Sequence, residues 1–229
     1  LDGSMVLQDG SPGFDNGQPE PFVHRYRLED FFETGLSTNN QVSITGGFDK
    51  GNIKLAYGNS YNTGIVPNTD LQRDNISINT SYRPNEKWTI SLSGNYLKSK
   101  SDNLPVAGYG GQGLMYALLW NYTNVDLDWL RNYWLEPDRV QRNIFSWADN
   151  PFLIAHEHIN AFNKDRLYGM VSSMYEFTPE LSLLMRMGTD YSNDFRWSRR
   201  PQGSVFHPNG MYREQTIGYG ETIGDFWLG

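Results

Sequence analysis

His156-Glu157-His158 sets two imidazoles at i and i+2, a spacing that on a strand turns both to one side, as a metal centre requires. Such a centre wants a third and a fourth ligand, and spacing does not bring His24 or His207 to the pair, so the competing reading is a solvated loop. Asp126, Asp128, Glu136, Asp138 and Asp149 crowd one segment, and a carboxylate pair held roughly 5 or 9 Å apart can cleave a glycosidic bond. Sequence spacing supplies no such separation. No nucleophile elbow or P-loop is present. The glycine-rich stretch 108–113 (GYGGQG) lacks the phosphate-loop pattern and its Lys, and reads as a flexible hinge. Residues 15–20 (DNGQPE) carry oxygen ligands without calcium-loop spacing and read as loop. The expectation is no enzyme and no cofactor.

Aromatic side chains offer a different chemistry. Trp120, Trp129, Trp134 and Trp147, four of the chain's seven tryptophans, lie within 99–163 together with Tyr109, Tyr116, Tyr122 and Tyr133. Such rings hold the apolar face of a sugar or a peptide side chain at little entropic cost, and they equally pack a segment upon itself. Further on, Arg199 and Arg200 stand beside Trp197, suited to an anionic ligand or a lipopolysaccharide phosphate, or simply to solvent.

The elements that must position these residues are strands. At 229 residues, with 38% hydrophobic content, net charge -7 and no cysteine, the chain has a thin apolar supply and no disulfide or thiolate chemistry. Its basic residues are dispersed, which argues against nucleic acid as a partner. No apolar run reaches the length of a membrane helix, and the opening LDGSMVLQDG has no secretory-signal features. A barrel wall needs no such run, because only alternate residues meet lipid.

Period-two alternation predicts strands near 38–48, 51–60, 71–83, 87–98, 164–177 and 181–192, with a weaker one at 211–220 and GETIGDFWLG as the start of another. One face collects Ile78, Tyr82, Trp88, Leu92, Tyr96 and Leu183; the other collects Lys54, Asn79, Asn95 and Arg186. Tight connections (FDKG, RPNEK, TPE) alternate with long ones at 60–70, 99–163 and 192–210, the arrangement of an outer-membrane barrel with short periplasmic turns and long external loops. Aromatic rings near strand ends suit interfacial girdles. From Trp88 to Tyr96, eight residues at about 3.3 Å and a tilt of about 40° give roughly 20 Å, close to an apolar band of about 25 Å. A soluble antiparallel sheet serving as a carbohydrate-binding or adhesin-like module is the alternative, and it demands a covering layer that no long amphipathic helix here supplies.

Several stretches taken together, FFETGLSTNNQVSITGG (31–47), YGNSYNTGIVPNTDLQRDNISIN (57–79), LKSKSDNLP (97–105), MYALLW with DLDWL (115–130) and NKDRLYGMVSSMYEFTPELSLLMRMGTDYSNDFR (163–196), resemble the SusC/RagA-like TonB-dependent outer-membrane transporters of Bacteroidetes. The resemblance spans about 24–216. It implies a 22-stranded antiparallel transmembrane β-barrel with long extracellular loops, a plug, energy from TonB, a SusD-like surface lipoprotein as lid, and import of glycans or peptides. On that footing residues 1–35 are an irregular lead-in, the end of the plug and the entry to the barrel. Residues 36–229 are then wall strands in the cell outer membrane, completed by further barrel segments and bathed by lipid and lipopolysaccharide. Trp120, Tyr122, Trp129, Tyr133, Trp134, Trp147, Trp197, Arg199 and Arg200 are the expected ligand or lid contacts.

Overall fold

The structure, a computed structural model, describes residues 5–7, 19–21, 24–109 and 112–229. Two short strands, β1 (Met5–Leu7) and β2 (Pro19–Pro21), pair with each other, and a 3-10 turn spans Leu28–Phe31. The wall follows: β3 (Ser37–Phe48), β4 (Gly51–Thr63), β5 (Asp70–Asn85) and β6 (Trp88–Ser101). A cap is then inserted, made of α1 (Leu114–Leu119), α2 (Leu127–Arg131), the hairpin β7 (Trp134–Glu136) and β8 (Val140–Gln141), and α3 (Pro151–Glu157). Finally β9 (Ile159–Thr178), β10 (Leu181–Gln202) and β11 (Asn209–Leu228) complete one seven-stranded sheet in the order β11-β10-β9-β6-β5-β4-β3, antiparallel throughout. Residues 15–18 of the expected DNGQPE loop and most of residues 1–23 lie outside the described residues, while Pro19 and Glu20, its last two, belong to β2.

Register turns the sequence alternation into two surfaces. Leu55, Ile78, Gly94, Gly169 and Thr189 fall in one row, and Ile53, Thr80, Leu92, Val171 and Met187 in another, all on one side. Towards the long loops this side ends in Val42, Tyr57, Ile76, Tyr96, Leu167 and Tyr191. One register step further the same side reads Asn40, Asn59, Asp74, Lys98, Asp165 and Asn193. The two rows are tied together: Tyr57 Oη donates to Asp74 at 2.7 Å and Tyr96 Oη to Asp165 at 2.5 Å. At the opposite end stand Phe48, Tyr82, Trp88, Tyr175 and Phe177, with Phe48 and Tyr82 6.2 Å apart and Trp88 Nε1 donating to Ser173 Oγ at 2.9 Å. Amphipathic rings with bonded polar tips at both margins of an apolar band are what a hydrocarbon slab selects.

The reverse side carries Lys54 with Asn79, Ser77 with Asn95, and two ion pairs, Arg186 with Asp225 at 2.8 Å and Arg166 with Asp190. The expected split between Lys54, Asn79, Asn95, Arg186 and Ile78, Tyr82, Trp88, Leu92, Tyr96, Leu183 therefore follows the two faces of the sheet.

Connections at one end are two-residue reversals at 49–50, 86–87 and 179–180; those at the other are 64–69, 102–158 and 203–208. At the first reversal Gly51 is required by crowding, since a Cβ there would lie 2.3 Å from the Ser81 carbonyl oxygen. Two expectations are corrected. The segment 192–210 is mostly strand, because β10 continues to Gln202 and β11 starts at Asn209; likewise β9 begins at Ile159. In these extensions the few apolar residues are divided between the faces, Phe195 and Trp197 on one and Phe162 on the other, so alternation is a weak signal. GETIGDFWLG, expected as a new strand, is the lower half of β11, with Phe226 opposite Met185 and Leu228 opposite Leu183.

The tightly packed interior is in the cap rather than against the sheet. Leu114, Ala117, Leu118, Val125, Leu127, Leu130, Phe152, Ile154 and Ala155 bury one another together with Phe31, while Ile44 (70% exposed) and Met187 (62%) on the wall are open. We expect Leu92→Arg, in the middle of the band, to cost the complete bilayer-inserted protein about 2–4 kcal/mol in urea titrations. Ser93→Arg, on the reverse side, should change it by under about 1 kcal/mol; equal costs would contradict the facing.

Candidate functional site

The cap is assembled from helices whose ends are fixed by side chains. Asp126 caps α2 by accepting from Asp128 N–H, and Asn150 caps α3 by accepting from Phe152 N–H at 2.8 Å and Leu153 N–H at 3.4 Å, with Pro151 filling the first helical position. The Asn150 amide also donates to the carbonyls of Leu130 (3.0 Å) and Arg142 (2.8 Å), knitting α2, β8 and α3 together. Asn103 donates to the carbonyls of Asn68 and Ala155, joining the 64–69 loop to the cap.

Asp149 is the centre of a buried latch. Its carboxylate accepts from Gln141 Nε2 (2.6 Å), Ser204 Oγ (2.7 Å) and Val205 N–H (2.6 Å), so it holds the 203–208 loop against the cap. Gly203 turns there with φ +80° because a Cβ would meet the Arg139 carbonyl oxygen at 2.5 Å. Burial alone would raise the Asp149 pKa, but the adjacent His158 imidazole and the hydrogen bonds from Gln141, Val205 N–H and Ser204 outweigh it and leave the group below the usual carboxylate value.

His158 is fully buried, with Nε2 3.3 Å from Asp149 Oδ2, a contact out of line for a well-formed hydrogen bond. Desolvation lowers its pKa, against the raising influence of Asp149. The solvated-loop reading of His156-Glu157-His158 is thus overturned: the three residues end α3 and are consumed by packing. His156 stacks on Tyr133 at 6.0 Å, and Glu157 accepts from Tyr133 Oη (3.1 Å) and Arg199 (2.7 Å). Burial first, then Glu157, pushes the Tyr133 phenol up to about 12. The loop carboxylates do not converge either: Asp128 pairs with Arg131, Glu136 with Arg139, and Asp149 sits in the latch. Among the described residues no group of three or more His, Asp or Glu side chains is placed to hold a metal ion.

The nine expected contact residues fall into separate places. Trp120 (58% exposed), Tyr122 (54%) and Trp147 (38%) join Tyr109, Tyr116 and Phe145 in a continuous outer aromatic face, with ring contacts Tyr116–Tyr109 at 4.5 Å, Tyr116–Trp147 at 5.2 Å, Trp147–Phe145 at 4.6 Å and Phe145–Tyr122 at 5.3 Å. Below it lies a depression of about 670 Å³ lined also by Val140, Asn143 and Val205. Trp129 and Tyr133 pack on the cap interior, Trp129 under the Arg142 guanidinium at 4.7 Å; Trp134 lies half-buried in β7, its ring 5.8 Å from Tyr133. Arg199 is paired with Glu157, and Arg200 is buried, donating to the Ile159 carbonyl (3.0 Å) and Asn160 Oδ1 (2.9 Å). Trp197 sits on the β10 extension, 6.3 Å from Tyr212. Phe145 and the latch partners Gln141 and Ser204 were not anticipated. Asn150-Pro151 is a helix-start signal from which α3 could have been placed, whereas nothing in it announces the inward placing of Asp149.

Comparison with known proteins gives no matching family description and no matching curated sequence. Among solved structures the chain is similar to the RagAB peptide importer in its closed-closed state. The TM-score is 0.65 at 15% identity, over 90% of this chain and 23% of that one. The fold is that of a β-barrel wall. At this identity the likeness is one of fold, and the chain spans about a quarter of its neighbour's length.

Below about pH 6.5, the ordinary histidine value, an unfolded cap takes up a proton that folded His158 resists. Cap stability is therefore complete above that pH and declines as acidification proceeds towards the lowered folded value. Asp149, also lowered, acts in the same sense below about pH 3.9. We expect the urea midpoint of the cap, followed by tryptophan emission in the complete membrane-embedded protein, to fall between about pH 7 and about pH 5, and His158→Gln to flatten that fall. Asp149→Ala, which strands the donors of Gln141, Ser204 and Val205, should cost on the order of 3 kcal/mol at neutral pH.

Proposed function

We propose that this chain forms part of the wall and outer lip of a TonB-dependent importer in the outer membrane, of the SusC/RagA-like type, moving peptides or oligosaccharides too large for a simple pore. The observation that carries the reading is the one-step change, along the same side of six neighbouring strands, from Val42, Tyr57, Ile76, Tyr96, Leu167 and Tyr191 to Asn40, Asn59, Asp74, Lys98, Asp165 and Asn193. A slab of hydrocarbon imposes such a boundary across strands, and a protein interior does not. The fold likeness to a peptide importer supports it. A soluble carbohydrate-binding or adhesin-like module would cover this apolar side, whereas here its residues are half to fully open.

In this reading β3 and β11, which lie at the two ends of the sheet, pair with further wall strands so that no backbone edge meets lipid. Lys54, Asn79, Asn95 and the Arg186–Asp225 pair hydrate the passage. The cap, with Trp120, Tyr122 and Trp147 outermost, meets the substrate and a SusD-like surface lipoprotein acting as lid. No covalent step is involved. The substrate is gripped between loops, lid and plug, and TonB, pulling on a plug beyond the described residues, releases it inward.

Uptake of labelled oligopeptides and oligosaccharides by cells carrying the complete protein tests this. We expect uptake that stops when the proton gradient is collapsed, and Trp120→Ala with Trp147→Ala to weaken substrate or lid binding by about tenfold or more. Extraction of the protein into buffer without detergent would sink the reading.

A further inference from the structure

Above the Arg166–Asp190 pair, on the polar side of the sheet, β9, β10 and β11 frame a cavity of about 500 Å³. Its wall is three successive register rows: Lys164 with Asp194, then Phe162 with Arg196 and Gln215, then Asn160 with Ser198 and Arg213. All alternate in phase with Arg166 and Asp190 and so face the passage. Leu104 closes the rim, its N–H donating to the Asn160 carbonyl at 2.9 Å.

The acceptors that this wall offers to a ligand are engaged. Asp194 Oδ2 takes both Arg196 nitrogens (3.1 and 2.6 Å), while Oδ1, without a hydrogen-bond partner, is buried away from the cavity surface. Gln215 Oε1 accepts from Arg213 at 2.9 Å, and Asn160 Oδ1 from Arg200 at 2.9 Å. Donors remain: Lys164 Nζ, the rest of the Arg213 guanidinium, the Gln215 amide nitrogen and the Ser198 hydroxyl. Charge is equally one-sided. Asp194 offsets Arg196, whereas among the described residues neither Lys164 nor Arg213 forms an ion pair. A concave wall with two uncompensated cations, spare donors and an apolar rim is complementary to an oligomer that offers acceptors and negative charge beside an apolar group.

We propose that this cavity is a carboxylate subsite for acidic peptides, in which Lys164 and Arg213 hold a peptide carboxylate while Leu104 and Phe162 receive the neighbouring side chain. The assignment rests on the importer reading and narrows its substrate class. A backbone C-terminus or a Glu or Asp side chain satisfies the same donors.

The complete membrane-embedded protein, wild type and Lys164→Gln/Arg213→Gln, is titrated with fluorescent oligopeptides of equal length rich in Glu, Gln or Lys, and with an oligogalacturonate. Arg196 is left in place because its loss would strand buried Asp194. We expect wild type to bind the Glu peptide about tenfold or more tightly than the Gln peptide, equivalent to about 1.4 kcal/mol. That preference should vanish in the double variant and in high salt, while Gln-peptide binding is unchanged and so confirms an intact variant. Equal binding of Glu and Gln peptides by wild type, or a preference that survives the double substitution, overturns the subsite and leaves the importer reading standing. Charge-dependent binding of the oligogalacturonate alone overturns the peptide assignment. Binding of no oligomer at all overturns both.

Discussion

On the importer reading, contact with hydrocarbon along one side of the sheet is the constraint from which the rest of the architecture follows. Six strands, β3 to β6 with β9 and β10, place mostly apolar groups on that side at alternate residues, and the pairing register keeps those groups level from strand to strand. Because lipid cannot donate or accept hydrogen bonds, every backbone group within the band must be paired by a neighbouring strand. That requirement accounts for the long ladders, whose register shifts lie only beside the short reversals, and, among the described residues, for a wall with no packed layer against it. It also frees the other side, where ion pairs such as Arg186–Asp225 and donors such as Lys54 can line a wet surface at little cost.

With the wall committed to lipid, the conventional folding forces act elsewhere. The apolar side chains that would build a core in a soluble domain are gathered in the 102–158 insertion, where α1, α2 and α3 surround Leu118, Leu130 and Phe152. The cap is then secured to the strand ends by polar groups buried away from water, Asp149, Asn150 and Asn103 among them, each with its hydrogen-bonding capacity largely filled. Rings that do not fit this interior, Trp120 and Tyr122 in particular, are left on its outer surface.

How much of this was readable depended on whether a residue's surroundings differ between its two faces. Between Trp88 and Tyr96, or Leu181 and Met187, lipid on one side and water on the other write a clean period of two, and strands and facing were legible. Above that band SNDFRWSRRPQ is wet on both sides, so β10 looked like loop, while Ile223 and Trp227 on the polar side of β11 blurred its lower half. Within the cap, His158 and Arg200 are charged residue types that ordinarily seek solvent, and nothing local announces that Asp149 and Asn160, 9 and 40 residues away, will bury them. The cationic cluster of Lys164, Arg196 and Arg213, spread over three successive rows, arises only from pairing three strands, and no one-dimensional spacing contains it.

The latch has a bearing on assembly. Asp149 enters it from the start of α3, the helix that leads into β9, whereas Ser204 enters just after β10 ends, so their 2.7 Å bond ties the cap to the pairing of these two strands. A slip of one residue would displace Ser204 by about 3.3 Å along the strand axis and break it. The cap thus acts as a gauge of strand alignment, its latch closing fully only over a correctly zipped hairpin.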